Sequence, residues 1–183
     1  MREYVFLDTS ALMQGGQSLV PAYDQMRPGC VVVLSGMVMQ ELDRQKSGRH
    51  AETSPFAREA ARQIEDLLSG SKRIGESMWR LGQHSTLQLD LSSWGADAEG
   101  DPDAAIIKLA ADFADKHKSS GQVVLISRDR IPRIRGMAAG LATLDPHELR
   151  ARVKAPEPAI VPEMRTRGNG GAKVEAFGGL RAS

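Results

Sequence analysis

The sequence predicts an α/β fold, a three-layer α/β/α sandwich around a central, mostly parallel sheet. Short apolar runs of strand length, at residues 4–7, 30–34 and 123–127, alternate with stretches of helical periodicity, the pattern of strand–helix–strand units. The run Val123-Val124-Leu125-Ile126 is continuously apolar, as in a strand buried on both faces. A chain of 183 residues suits one domain with a sizeable core plus a tail.

The first strand is expected over residues 4–7, followed by a helix or turn from about Ser10 and a polar connection through Gly15-Gly16. Pro28-Gly29 signals a turn into the second strand at 30–34, and a helix over about 38–45 follows. Residues 48–53 read as a loop. Ser54-Pro55 then supplies an N-cap and a proline at the first helical position. Ala57, Ala60, Ala61, Ile64, Leu67 and Leu68 continue at helical spacing until Gly70. Residues 86–91 alternate and predict a strand towards the sheet edge. Asp101-Pro102 opens a helix to about His117, with Ile106, Ile107, Ala110, Phe113 and Ala114 facing inward. A short helix at 131–139, closed by Gly140, and a last strand at 141–144 complete the expected domain, residues 1–152. Residues 153–183 are rich in Pro and Gly and predict a disordered tail.

The formal net charge of +1 excludes a strongly basic nucleic-acid coat, so any polyanion site must come from local clustering of the 24 Lys and Arg. The single cysteine, Cys30, sits beside three valines and reads as a small buried hydrophobe. No apolar run reaches the length of a membrane span and no signal-peptide pattern opens the chain, so a cytoplasmic protein is expected.

Four carboxylates fall at structural boundaries. Asp8 follows the first strand, Glu41 sits in an apolar helix, Asp103 lies in the first turn of the next, and Asp129 ends the last long strand. Acids at the carboxyl ends of parallel strands face one crevice. Without a counter-ion they would repel one another, so the pattern makes sense around a divalent metal and suggests phosphodiester chemistry. Each also has a plainer reading. Asp8 is a candidate helix cap, although Thr9 and Ser10 offer alternatives. Glu41 suits a solvated helix face paired with Arg44 or Gln45. Asp101 is the natural N-cap, which leaves Asp103 in the first turn, where the helix dipole favours an anion. Asp129 lies between Arg128 and Arg130 and suits a neutralised turn. Ser10 and Ser127 are positioned to support the acids, and Asp101 is a cap or a ligand through water.

Asp8-Thr9-Ser10, Val38-Met39-Gln40-Glu41-Leu42, Asp103 with Ile106, and Ser127-Arg128-Asp129 occur in the order that resembles a PIN domain. Glu41-Leu42-Asp43-Arg44-Gln45-Lys46 and Ala57-Arg58-Glu59-Ala60-Ala61-Arg62 are similar to the PIN domains that accompany PhoH-type ATPases, without the ATPase itself. The resemblance implies a Mg²⁺- or Mn²⁺-dependent endoribonuclease acting on single-stranded RNA, in RNA processing or as the toxin of a toxin–antitoxin pair. It implies that Asp8, Glu41 and Asp103 hold a first ion, with Asp129 on a second ion or bound through water. RNA phosphate contacts are expected from Arg44, Arg128 and Arg130, with Lys46, Arg49, Arg58, Arg62, Arg133 and Arg135 as further candidates. RNA, an antitoxin protein and a second copy of the chain are the implied partners.

Other functions fit less well. A haloacid-dehalogenase-type phosphatase wants a second Asp where Ser10 stands, and a Rossmann module wants glycines after the first strand, where Asp8-Thr9-Ser10-Ala11-Leu12 has none. A catalytically weak RNA-binding or protein-interaction module is the remaining alternative.

Overall fold

The structure is a computed structural model that describes residues 2–13, 29–47, 54–94 and 101–148. Arg49, the loop at 48–53 and the expected tail lie outside the described residues. Among the described residues, seven strands form one sheet: β1 (Arg2–Leu7), β2 (Val31–Ser35), β3 (Arg73–Gly75), β4 (Met78–Leu81), β5 (Ser85–Asp90), β6 (Gly121–Ile126) and β7 (Ala142–Leu144). Their spatial order is β3-β4-β5-β2-β1-β6-β7. Neighbours from β5 through β7 run parallel, whereas β3–β4 and β4–β5 are antiparallel. Among the described residues the helices that flank this sheet are α1 (Thr9–Leu12), α2 (Gly36–Ser47), α3 (Ser54–Gly70), α4 (Pro102–Lys116) and α5 (Arg130–Ala138). The expected α/β architecture with a mostly parallel sheet is the one found.

The central strands explain why this order forms. Val5, Phe6 and Leu7 of β1, Val32, Val33 and Leu34 of β2, and Leu125 and Ile126 of β6 are fully enclosed. A strand apolar on both faces is stable only between other strands and under helices. Ile106, Ile107 and Ala110 of α4 close over the core, and Phe113 meets both Tyr4 and Phe6 edge-on. Ala114 packs partly buried beside them. Cys30 is buried, as expected, with its thiol 3.4 Å from Ser85 Oγ. Gly140 terminates α5 with φ of 79°, a left-handed conformation that favours glycine.

The expectation that residues 86–91 lie at the sheet edge needs correction. Strand β5 pairs with β2 on one side and β4 on the other. Nothing in the hydropathy pattern announces β3 and β4, whose residues are mostly exposed or half-buried. Strand β4 is held by pairing with β5, and β3 by pairing with β4 and by Arg73 lying 5.5 Å over the Trp79 ring. Pairing, rather than burial, makes these strands.

Candidate functional site

The parallel strands β2, β1 and β6 end at the same edge of the sheet, and the chain leaves each with polar residues. Asp8 follows β1 and remains in the ladder, its N–H donating to the Ile126 carbonyl at 3.1 Å. Its side chain is the N-cap of α1, with Oδ1 accepting from the Ala11 N–H at 2.8 Å and from Ser10 Oγ at 2.8 Å. The cap role is therefore real. Thr9 and Ser10 cannot take it because both lie inside the helix, and their hydroxyls serve elsewhere.

Ser10 Oγ also accepts the Arg128 N–H at 3.0 Å and lies 3.4 Å from Ser127 Oγ. Ser127, fully buried, hydrogen-bonds the Asp8 carboxyl and accepts the Asp129 N–H at 3.0 Å. The two serines thus tie the loop after β1 to the loop after β6.

Glu41 projects from α2 towards the same region. Thr9 Oγ1 donates to its Oε2 at 2.5 Å, and Gln45 Nε2 to its Oε1 at 3.1 Å. Asp43 points outward and pairs with Lys46 at 3.0 Å, which separates the two acids as the helical spacing implies. The hold of Thr9 on Glu41 spans 32 residues and leaves no local signal in the sequence. Gln45, four residues on, is legible as a helix neighbour.

Asp101 caps α4, accepting from the N–H groups of Asp103 at 3.1 Å and Ala104 at 3.4 Å, and is ion-paired with Arg135. Asp103 lies half-buried in the first turn. Asp129 opens α5 without a side-chain cap hydrogen bond and stays exposed.

Asp8, Thr9, Met37, Val38, Glu41, Pro102, Asp103 and Ile106 line one small cleft. Asp129 is outside that lining, but its charge reaches both Asp8 and Asp103. Burial pushes the Asp8 carboxyl up to about 6, against hydrogen bonds from Ser127, Ala11 and Ser10, with Asp129 adding to the rise. Asp103 is raised by burial and then by Asp101, Glu41 and Asp129, with Arg135 opposing. The acids share one field. Among the described residues, no three His, Cys, Asp or Glu are drawn close enough to hold a metal ion. The donor set nevertheless fits a small hard cation, since it offers carboxylate and hydroxyl oxygens only.

The arginines divide. Arg133 donates to the Ser127 and Arg128 carbonyls and to Asp145, each at 2.8 Å, so it braces the loop after β6. Arg135 is engaged by Asp101, Arg62 by Glu59 and Asp66, and Lys46 by Asp43. These four side chains have partners within the protein. Arg44, Arg58, Arg128 and Arg130 remain exposed.

A second loop reaches the cleft from the β5 side. Ser93 Oγ accepts the Met37 N–H at 3.3 Å, and Trp94 stands against Gly36 while remaining 54% exposed. The sequence reading passes over Trp94, although a tryptophan in the turn-forming Ser92-Ser93-Trp94-Gly95 has little reason to be core.

The family profile described as PIN domain matches residues 5–147, which includes all four acids. A solved structure described as a domain of a functionally unknown protein from Methanocaldococcus jannaschii DSM 2661 is similar in fold. Its TM-score is 0.51 at 15% identity, covering 78% of this chain and 89% of that one. A search of curated proteins gave no match. Among the described residues no helix is long and apolar enough to cross a membrane.

Proposed function

We propose that this chain, which belongs to the PIN domain family, is a Mg²⁺- or Mn²⁺-dependent endoribonuclease that hydrolyses phosphodiester bonds of single-stranded RNA. One observation carries the reading: Asp8, Glu41 and Asp103 line a single cleft, and the most buried of them is surrounded by hydroxyls, a backbone amide and another acid. A buried carboxylate that the protein does not neutralise is costly unless a ligand neutralises it.

Asp8, Glu41 and Asp103 would hold the divalent ion, with Asp129 reaching it directly or through water. When bound, such an ion supplies Lewis acidity to the phosphate and lowers the pKa of a water for in-line attack. The chain's own residues do the positioning. Thr9 and Gln45 fix both oxygens of Glu41, while Ser10 and Ser127 fix Asp8 and the loop that carries Asp129. Arg44, Arg128 and Arg130 steer the phosphates by charge alone.

The purified chain is expected to cut labelled single-stranded RNA in Mn²⁺ or Mg²⁺ and to stop on addition of EDTA. Activity that survives in Asp8→Asn contradicts the assignment. Two biological settings use this chemistry. Growth arrest on induction, relieved by a co-expressed binding protein, assigns the chain to the toxins; normal growth with altered transcript ends assigns it to RNA processing, the setting nearer the PhoH-type likeness.

A further inference from the structure

We propose that Trp94 is a stacking platform for an unpaired nucleobase next to the scissile phosphate, and that it makes the site prefer single strands. The inference rests on the nuclease reading and adds the group that recognises the base. Trp94 follows β5, the parallel strand beside β2, and is 54% exposed. Leu91, whose carbonyl accepts the Trp94 N–H at 2.9 Å, is also exposed, so the turn carries an apolar tip.

Two contacts fix that tip against the cleft. The Ser93 hydroxyl accepts the N–H of Met37, a residue of the cleft lining. Trp94 itself packs on Gly36, where an added Cβ would lie 2.8 Å from the Trp94 nitrogen and 3.1 Å from its Cα and Cβ. The close approach requires glycine at that position. Met37, held by Ser93, lies four residues before Glu41 and so on the same face of α2, and the tryptophan is seated at Met37's neighbour Gly36.

The opposite side of the cleft carries Arg128 and Arg130, both exposed, in the turn after β6. From β5 to β6 is three strand spacings, about 14 Å. A strand crossing this edge would meet an aromatic face at one end, the acids in the middle and guanidinium groups at the other. A flat π surface accepts any base whose face is free, and bases in a duplex have none to give.

The arrangement also makes a clean test. The contacts to Gly36 use the backbone and Cβ of Trp94, so Trp94→Ala removes the indole and leaves the turn attached. In the full chain with Mn²⁺ and a short single-stranded RNA, Trp94→Ala is expected to raise KM about tenfold with kcat little changed, while Trp94→Phe stays within about threefold of wild type. In an Asp103→Asn background, where the RNA stays intact, the same series is expected to show weaker binding to single strands and equal binding to duplex. Wild type that cuts RNA, with Trp94→Ala matching its KM, overturns this inference and leaves the nuclease reading standing. Trp94→Phe as impaired as Trp94→Ala also overturns it, since phenylalanine keeps a π face. Wild type that neither binds nor cuts RNA removes the functional reading and this inference with it.

Discussion

Asp8 and Asp101 do the same local job and end in opposite electrostatic states. Each precedes a helix and accepts backbone N–H groups of the first turn, Asp8 for α1 and Asp101 for α4. Asp101 is exposed and hydrogen-bonded to Arg135, which holds its carboxyl below the usual carboxylate range. Asp8 is 5% exposed, lies near Asp129, and is pushed up to about 6. The difference teaches where a cation belongs. The fold supplies one to the acid at the surface and withholds one from the acid in the cleft.

The largest test of that contrast is catalytic. Asp8→Asn should lower metal-dependent RNA cleavage on the order of a thousandfold, since several kcal/mol of charge stabilisation would go with the carboxylate. Asp101→Asn, still a good cap, should cost only a few-fold in the same gel assay. Thr9→Val comes next. It keeps the shape of a buried side chain and removes the 2.5 Å hydrogen bond to Glu41, so apparent metal affinity is expected to fall roughly 10- to 100-fold. An unchanged metal titration would mean that Glu41 is oriented without Thr9.

Stability separates the two caps by sign. Between pH 3.8 and about 6 the folded chain holds an Asp8 proton that the unfolded chain has released, so stability from this group is lost as pH rises through that window. The cost above the window is about 3 kcal/mol before relaxation of the site. Metal-free protein should thus melt higher at pH 5 than at pH 7, and Asp8→Asn should raise melting at pH 7 and flatten the profile. Asp101 runs the other way: its lowered pKa gives a contribution present above 3.8 and lost as pH falls, small because the pair is exposed. A wild-type melting profile that rises from pH 5 to 7 would contradict the account of Asp8. The smallest effect belongs to the arginines. Arg128→Ala or Arg130→Ala should weaken RNA binding a few-fold and reduce the salt slope by about one for each phosphate no longer neutralised.

Much of the molecule is legible in sequence because it is local or periodic. The β1, β2 and β6 runs, the Asp101-Pro102 start of α4 and the four boundary acids each announce themselves within a few residues. Strands β3 and β4 do not, because they are stabilised by pairing rather than by a buried face. The division among the arginines is also hidden. Arg133 looks like a surface charge beside Asp129, yet it spends its donors on two carbonyls and on Asp145, twelve residues away. The grip of Thr9 on Glu41 and the seating of Trp94 on Gly36 join distant segments that only the fold brings together. Three candidate caps in a row make Asp8 look free for other work, and the structure makes it a cap whose burial also leaves its charge uncompensated.

Isothermal titration of Mn²⁺ into the metal-free chain at about pH 7.5, above the raised pKa of Asp8, tests the central contrast most directly. Binding is expected for wild type and for Asp101→Asn, with loss of that binding in Asp8→Asn and Asp103→Asn. Equal binding by wild type and Asp8→Asn, or loss confined to Asp101→Asn, would contradict it.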